Sequence, residues 1–310
     1  MNLGSYLVGA TAYMASLYKK SPVKPFAPLL SKLYFNVLNT GQGASVVHKN
    51  IDGINFELDL REVIDSEMFY CGSREPQTSR TLELICNASD IVIDIGANVG
   101  SHALPMAKLV GPSGRVYAFE PVPWAMDKLK RNASLNGFSN IVTEQLALSD
   151  ENLGHVDMEF RASFKIGSAK GVDDKGQIDN GWWQECDRVS TKMQTLDSYV
   201  AEHSIQRIAL IKLDVDGFEG KVIRGASETL SRFKPVIIME LAPAWVEMRG
   251  DSCLAIARQL REMGYRCFAE ATFDEILDVD KLILGIEPGQ GFNVVYAVHK
   301  PMPRPSEASR

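Results

Sequence analysis

Residues 91–100 read Ile-Val-Ile-Asp-Ile-Gly-Ala-Asn-Val-Gly, and this stretch decides the fold class. Its first three residues, Ile91–Ile93, form the short apolar run that is typical of a buried strand. Two glycines follow, and glycine lets a backbone turn sharply and approach a ligand closely. A helix comes next, and Pro105 fits it only in the first turn, so the helix begins near Ser101 or His102. The stretch therefore predicts a strand, a glycine loop and a helix start with free N–H groups.

The alternation of strand and helix continues along the chain and predicts an α/β fold. Each further strand is a short apolar run, as parallel strands buried on both faces should be. We therefore expect a mostly parallel central sheet with helices on both faces. The further predicted strands are Val116–Phe119, Ile141–Val142, Ile208–Ile211, Val236–Met239 and Asn293–Val298.

Four of the predicted strands end in a carboxylate, namely Asp94, Glu120, Asp214 and Glu240. In an open α/β sheet, the ligand crevice lies outside the carboxyl ends of the strands. Buried carboxylates are unfavourable unless something compensates their charge. A cluster of four suits a ligand that has positive charge and hydroxyl donors. S-adenosylmethionine (SAM) has a sulfonium, an ammonium and a ribose diol, so the pattern predicts a SAM site.

A nicotinamide dinucleotide is the competing ligand for such a loop. Its usual fingerprint is Gly-x-Gly-x-x-Gly, whereas this chain has Gly-x-x-x-Gly with Asp94 before it. The pyrophosphate of a dinucleotide would be repelled by Asp94, and an ammonium would be attracted. Glu120 lies about twenty residues beyond Gly100, the usual distance for an acid that binds ribose hydroxyls. The loop favours SAM, and an oxidoreductase stays the alternative.

Five motifs in sequence order give the chain a resemblance to a known family. They are residues 94–100 (DIGANVG), 118–121 (AFEP), 147–150 (ALSD), 195–197 (TLD) and 212–219 (KLDVDGFE). The chain resembles the FkbM family of SAM-dependent methyltransferases from about Glu75 to Lys300. The resemblance implies a Rossmann-like class I methyltransferase fold, with an antiparallel last strand, that transfers a methyl group to a hydroxyl of a sugar or secondary metabolite.

The resemblance also implies which residues bind the cofactor. They are Glu75, Asp94, Gly96, Asn98, Gly100, Glu120 and Ala147, the last of them near the adenine. The chain departs from the family at Asp216, where the family often has glutamate. The shorter carboxylate of Asp216 keeps the charge and shortens the reach by about one methylene.

A general base is expected at the acceptor side, because a neutral alcohol is a poor nucleophile. The candidate catalytic residues are Asp214, Asp216, Glu240 and His102. Asp216 and Glu219 have an alternative role as caps of the following helix, because acids favour helix N-termini. The acids Asp214, Asp216 and Glu240 also offer oxygen ligands to a divalent metal such as Mg²⁺. Nothing in their spacing demands a metal, so the metal question stays open.

Composition limits the partners. The net charge is −6 and no long basic run is present, which disfavours a nucleic-acid substrate. The five cysteines are scattered without a Cys-x-x-Cys pair, which indicates thiols in a reducing compartment and disfavours a zinc site. A small-molecule hydroxyl acceptor is therefore expected. The alternatives are an RNA or protein acceptor, or a module that binds SAM or glycan without turnover.

The domain organisation follows from where the alternation begins and ends. Residues 1–80 are predicted to form a mainly helical extension, residues 81–300 the methyltransferase domain, and residues 301–310 an unstructured tail. An inserted hairpin or flap is predicted at about 150–195, where Trp182–Trp183 either stack on a sugar or anchor the flap. Residues 3–18 have the spacing of an amphipathic helix that packs on the protein or on a membrane surface. The expected location is cytoplasmic, with peripheral membrane attachment as the alternative.

Overall fold

A computed structural model describes residues 46–60, 62–160, 187–287 and 289–301 of the chain. The chain divides into two compact units. The smaller comprises Met1–Arg74 and Arg161–Asp187, and the larger comprises Glu75–Phe160 and Arg188–Arg310. The predicted amphipathic helix at residues 3–18, the Trp182–Trp183 pair and the tail from residue 302 lie outside the described residues.

The described part of the smaller unit is a hairpin and a helix. Strands β1 (Val46–Ile51) and β2 (Ile54–Asp59) pair in antiparallel register. Asp52 and Gly53 turn the hairpin with φ of 49° and 76°, the positive values that a two-residue hairpin loop requires. Helix α1 (Val63–Cys71) follows. The described part of the predicted mainly helical extension therefore contains a hairpin as well as a helix.

The larger unit is built around a seven-stranded sheet. Its strands have the order β11-β12-β10-β9-β3-β4-β5. In chain order, the strands of this unit are β3 (Ile91–Ile95), β4 (Arg115–Phe119), β5 (Ile141–Glu144), β6 (Leu146–Leu148), β7 (Leu153–Phe160), β8 (Asp187–Gln194), β9 (Leu210–Leu213), β10 (Val236–Leu241), β11 (Arg266–Ala269) and β12 (Phe292–Ala297). Strands β3, β4, β5, β9 and β10 run parallel, and β12 is antiparallel to both β10 and β11.

This topology confirms the predicted α/β fold, the mostly parallel sheet and the antiparallel last strand. All six strands predicted for the sheet are present, with ends that differ by a few residues. Strand β11 was not predicted, because Arg-Cys-Phe-Ala is too short and too mixed to show a strand pattern.

Helices cover both faces of the sheet. They are α2 (Pro76–Ile85), α3 (Ala103–Val110), α4 (Pro123–Leu135), α5 (Leu196–Glu202), α6 (Glu219–Arg224), α7 (Ser227–Phe233), α8 (Pro243–Met248), α9 (Cys253–Glu262) and α10 (Val279–Leu284). His102 is the N-cap of α3, so Pro105 falls in the first turn as predicted. Helix α4 starts at Pro123 and ends at Leu135, with Asn136 as its C-cap residue before Gly137 with φ of 63°, which are the predicted start and stop signals.

Two clusters of buried apolar side chains lie on the two faces of the seven-stranded sheet. One contains Ile93, Ile211 and Ile237 and packs against α5 to α10. The other contains Val92, Leu210 and Ile238 and packs against α2, α3 and α4. Since side chains alternate between the faces of a strand, adjacent residues such as Val92 and Ile93 belong to different clusters. The face that carries Val92, Leu210 and Ile238 is called the Val92 face below.

Strand β6 and the two strands that fall in the range of the predicted insertion, β7 and β8, form a second, small sheet. Its strand order is β6-β8-β7, and β6 runs parallel to β8. Residues 161–186, which connect β7 to β8, lie outside the described part. Within the described ranges, no helix combines the length and the hydropathy that crossing a bilayer requires.

Candidate functional site

The four predicted carboxylates lie at the same end of four neighbouring strands. Strands β10, β9, β3 and β4 are consecutive in the sheet and parallel, so their carboxyl ends meet at one edge. Each carboxylate is two residues beyond a side chain of the Val92 face or of its continuation, because a strand repeats every two residues. Asp94 follows Val92, Glu120 follows Ala118, and Glu240 follows Ile238. The sheet therefore directs these acids to one face as well as to one edge.

Gly96 allows the loop after β3 to pass against the end of β9. Its φ is +79°, and a Cβ built on it would lie 1.9 Å from the backbone oxygen of Asp214. No side chain fits in that space, so glycine is required there on two grounds. The N–H groups of Gly96 and Ala97 both donate to the Phe119 carbonyl oxygen at 3.0 Å. The loop is thus fixed to β4 on one side and in van der Waals contact with β9 on the other.

Asn98 and Gly100 complete the loop in unusual backbone conformations. Asn98 has a φ of 47°, and Gly100 has a φ of +91°. A Cβ on Gly100 would lie 2.4 Å from Cδ1 of Leu104 in α3. The predicted loop residues are therefore brought together by the turn itself, and they place the N-terminus of α3 beside the carboxylates.

Glu120 is buried beneath this loop with 4% of its surface exposed. One carboxylate oxygen accepts the N–H of Asn98 and the other accepts the N–H of Val122, both at 2.9 Å. Burial raises the pKa of Glu120 to about 7, although these two hydrogen bonds act to lower it. Each oxygen retains capacity for a further donor, so the group is oriented to accept two hydroxyls.

Asp94 is completely buried, and neither of its carboxylate oxygens has a hydrogen-bond partner among the described residues. Burial raises the pKa of Asp94, and the positive charge of Lys212 acts against that rise. A buried polar group without a partner is rare in a folded protein. The carboxylate is thus a vacant acceptor at the carboxyl end of β3.

Lys212 is a site residue to which the sequence analysis assigned no role. Its side chain on β9 is 6% exposed, and its Nζ lies 3.1 Å from Oδ2 of Asp214 and 3.9 Å from Oδ1 of Asp94. The signal was present in the sequence: a lysine within an apolar strand, two residues before Asp214 and hence on the same face. What the sequence does not show is that β3 and β9 are neighbours, which puts Asp94 within reach.

His102 and Glu75 form a pair at the same edge. The Nε2 of His102 lies 3.1 Å from Oε2 of Glu75, and the histidine is 2% exposed. Its Nδ1 is buried without a hydrogen-bond partner in the described part of the chain. Both residues act electrostatically on Asp94, His102 lowering and Glu75 raising its pKa. The structure thus places this predicted catalytic candidate and this predicted cofactor residue side by side.

Asp214 and Glu240 lie at equal height on adjacent strands, since Leu213 pairs with Met239 in the parallel register. Burial raises the pKa of Glu240 to about 8, and the negative charge of Asp214 adds to the rise. The backbone beside Glu240 is also close, because a Cβ on Gly291 would lie 2.5 Å from its Oε1. Glu240 therefore has the raised pKa that general bases often show.

Asp216 and Glu219 separate into different positions. Asp216 is exposed in the turn after β9, with a φ of 50°. Glu219 is 3% exposed, and its Oε1 accepts the N–H of Val215 at 3.0 Å. The carboxylate of Glu219 thus satisfies the turn that precedes α6, whose N-cap residue Phe218 makes no side-chain capping hydrogen bond. Asp216 influences the pKa of both Glu120 and Glu240.

Ala147 lies apart from this network. It is buried on β6, outside the seven-stranded sheet. Its methyl side chain offers a small apolar surface, which suits packing against an adenine ring. Among the described residues, no three His, Cys, Asp or Glu side chains are grouped so as to hold a metal ion.

Comparisons with known proteins add a family and several relatives. The profile described as "Methyltransferase FkbM domain" matches residues 94–267, more than half of the chain. The 2-O-methyltransferase NoeI of Sinorhizobium fredii is 30% identical over 192 residues, which are 58% of this chain and 74% of that protein. Methyltransferase 1 of Beauveria bassiana is 26% identical over 181 residues, which are 55% of this chain and 70% of that protein. The 31-O-demethyl-FK506 methyltransferase FkbM of Streptomyces tacrolimicus is 29% identical, over 45% of this chain and 60% of its own length.

Proposed function

Since the chain belongs to the FkbM methyltransferase family, we propose that it transfers a methyl group from SAM to a hydroxyl of a small molecule, a sugar, a glycoside or another secondary metabolite. The enzyme class and the cofactor follow from the family, and SAM takes the place of the competing nicotinamide dinucleotide. The observation that carries the residue assignments is the row of four carboxylates on consecutive strands.

The residues present fit the cofactor. The buried carboxylate of Asp94, which accepts no hydrogen bond from the described residues, suits a cationic donor such as an ammonium. The oriented carboxylate of Glu120 suits the ribose diol. Gly96 and Gly100 allow the close approaches of the loop to Asp214 and Leu104, and Asn98 lies between them. Glu75 and Ala147 complete the proposed cofactor set, beside His102 and on β6 respectively.

When held by Asp94 and Glu120, SAM would supply an activated methyl group, carried on its sulfonium, for transfer to the acceptor oxygen. The protein's part is to position the acceptor and to take the hydroxyl proton. We assign the proton to Glu240, because it lies level with Asp214 at the carboxyl edge of the sheet and because burial raises its pKa, which makes its ionised form a stronger base.

Asp214, Asp216 and His102 receive supporting roles. Asp214 accepts a hydrogen bond from Lys212 at 3.1 Å, which fixes its orientation, so it suits the binding of an acceptor hydroxyl. His102 is paired with Glu75. Exposed Asp216 lies where it influences both Glu120 and Glu240, so it suits contact with the acceptor at the rim.

The chemistry of the edge favours a neutral or cationic small molecule over a polyanion. Four acids, Asp214, Glu219, Glu75 and Asp216, act electrostatically on a fifth, Glu240. The phosphates of an RNA acceptor would meet this negative charge without compensation, whereas sugar hydroxyls would find acceptors. The printed names of two relatives, a 2-O-methyltransferase and a 31-O-demethyl-FK506 methyltransferase, support oxygen as the methylated atom.

Calorimetry and a transfer assay test the proposal. SAM and S-adenosylhomocysteine should bind with micromolar-range affinity and raise the melting temperature, while NAD should do neither. Labelled methyl should pass from SAM to members of a panel of glycosides and polyketides, with RNA and protein as comparison acceptors. The same transfer assay with a chelator added tests whether activity depends on a divalent metal. Transfer to RNA or protein alone, or SAM binding without any transfer, would overturn the proposed acceptor class.

The proposed location is the cytoplasm, with residues 3–18 available for membrane-surface contact. The uncharged helical spacing of this segment supports the proposal. Co-sedimentation of the full chain with anionic vesicles tests it, with the variant Leu7→Glu as the matched comparison. Equal sedimentation of the two chains, or none for either, would contradict membrane contact through this segment.

A further inference from the structure

Lys212 occupies the centre of the carboxylate row. In the registers of the sheet it pairs with Asp94 of β3 on one side and with Ile238 of β10 on the other. Residues that pair across parallel strands point to the same face, so the Lys212 and Asp94 side chains share the Val92 face. Lysine is almost never fully buried unless it is paired, and this side chain is only 6% exposed.

The ammonium is held between two carboxylates. Its Nζ is at hydrogen-bond distance, 3.1 Å, from Asp214 and at ion-pair distance, 3.9 Å, from Asp94. Burial opposes the charge on Lys212, but Asp214 and Asp94 outweigh burial and hold the pKa of Lys212 above its ordinary value. The group is therefore a fixed cation that neither takes nor releases a proton near neutral pH.

We propose that Lys212 is a positioning residue that keeps Asp94 anionic for cofactor binding and holds the Asp214 carboxylate in one orientation. This inference rests on the proposed role of Asp94 toward SAM. Lys212 acts through the two acids and needs no contact with the acceptor.

Asp94 depends on an external charge because nothing else compensates its burial. Neither oxygen accepts a hydrogen bond from the described residues, and an ionised carboxylate in that state is strongly disfavoured. The other charged groups that face it do not replace Lys212, since Glu75 is negative and His102 is paired with Glu75. Five charged groups of the described residues act on Asp94. Two lie on or just after β9, Lys212 and Asp214, and the other three are His102 at the N-cap of α3, Glu75 at the N-cap of α2 and Glu120 at the end of β4. Among these groups, Lys212 is the one whose positive charge does not depend on the protonation of a histidine.

The variant Lys212→Gln removes the charge and keeps a hydrogen-bond donor for Asp214. Without the cation, the pKa of Asp94 should rise further, because burial raises it and Lys212 acts against that rise. The ratio of the variant's SAM dissociation constant to that of the wild type should therefore be large near pH 6. It should fall, by up to about tenfold per pH unit, toward pH 9. Calorimetric titrations with SAM across this range measure the ratio.

Matched variants separate this effect from a structural one. Lys128→Gln removes an equally buried lysine of helix α4, since both residues are 5% exposed, and should leave the ratio independent of pH. Lys212→Arg keeps the charge, so the ratio of its SAM dissociation constant to that of the wild type should also be independent of pH. The double variant Asp94→Asn, Lys212→Gln leaves no uncompensated buried acid at this pair. It should bind SAM as weakly as Asp94→Asn alone at every pH.

The outcomes distinguish the two proposals. A Lys212→Gln ratio that is the same at all pH values overturns the role of Lys212, even if binding is weaker. Asp94→Asn with wild-type SAM affinity overturns the assignment of Asp94 to the cofactor, and with it the reason for the cation. If Lys212→Gln does not fold, the double variant decides: residual pH dependence relative to Asp94→Asn alone would contradict the proposal.

Discussion

The carboxylate of Glu120 accepts the backbone N–H of Asn98 at 2.9 Å, which ties the end of β4 to the glycine loop after β3. The second oxygen accepts the N–H of Val122 at the start of α4. One side chain thus fixes two loops and, in the proposed function, binds the ribose. Its removal should therefore affect stability and cofactor affinity together, and the two effects need separate measurement.

Glu120→Ala should weaken SAM binding by about 1.5–3 kcal/mol, the range for hydrogen bonds to a charged group. It should also lower the free energy of unfolding by about 1–3 kcal/mol, because the N–H groups of Asn98 and Val122 lose their acceptor. Calorimetry and chemical denaturation measure the two quantities. Glu120→Gln keeps one acceptor oxygen and should lose less stability. Unchanged SAM affinity in a folded Glu120→Ala protein would refute the ribose assignment.

Stability without cofactor should fall as the pH rises through about 7 to 8. Burial raises the pKa of Glu120 and Glu219 to about 7 and that of Glu240 to about 8, above the ordinary value of 4.5. A raised carboxyl pKa favours the folded state below the unfolded pKa, and this contribution is lost as the folded group ionises. The melting temperature should thus be lower at pH 8.5 than at pH 6.

Glu240→Gln provides the comparison for this pH dependence, because it removes one of the three titrations. The difference in melting temperature between variant and wild type should shift in favour of the variant as the pH increases. A difference that stays constant from pH 6 to about pH 9 would show that Glu240 has an ordinary pKa.

Glu240→Gln should lower kcat by roughly 10²–10⁴, the contribution of a positioned general base, while SAM binding is retained. Asp214→Asn should raise KM for the acceptor more than it lowers kcat, because Asp214 is assigned to binding. Steady-state kinetics with and without chelator measure both, and Glu247→Gln, at an exposed position of α8, is the control. Near-wild-type kcat for Glu240→Gln would remove it as the base. Activity abolished by the chelator and restored by Mg²⁺ would indicate a metal role.

Gly96→Ala should destabilise the protein and abolish SAM binding. The added Cβ would lie 1.9 Å from the Asp214 carbonyl oxygen, and the φ of +79° adds strain. Gly137→Ala is the matched control, since its φ is +63° and nothing lies within 4 Å of the new Cβ. The control should lose only the about 1–2 kcal/mol of a left-handed non-glycine residue, and Gly96→Ala should lose about 1–3 kcal/mol more from overpacking. Equal losses in denaturation experiments would contradict the close approach.

Local patterns were enough to predict most of the sheet. The apolar runs at Ile91–Ile93 and Val236–Met239 coincide with β3 and β10, because a strand buried on both faces must be apolar throughout. Pro123 and Gly137 marked the ends of α4 for the same local reason. Strand β11 was missed because a short strand of mixed polarity derives its stability from a partner that is distant in sequence, here β12. The hairpin of β1 and β2 was missed although its signal is local, an Asp52-Gly53 turn between two short runs that pair with each other.

By itself, the sequence determined the α/β class, the glycine loop with Asp94 before it, and the carboxylates at the strand ends, because each follows from adjacent residues and their backbone preferences. Only the tertiary structure decided which strands are neighbours. That order places Lys212 of β9 beside Asp94 of β3, pairs His102 with Glu75, and puts Glu240 level with Asp214. The charge state of a buried acid depends on groups brought near it from elsewhere in the chain. The sequence therefore supplied the acids, and the strand order set their electrostatics.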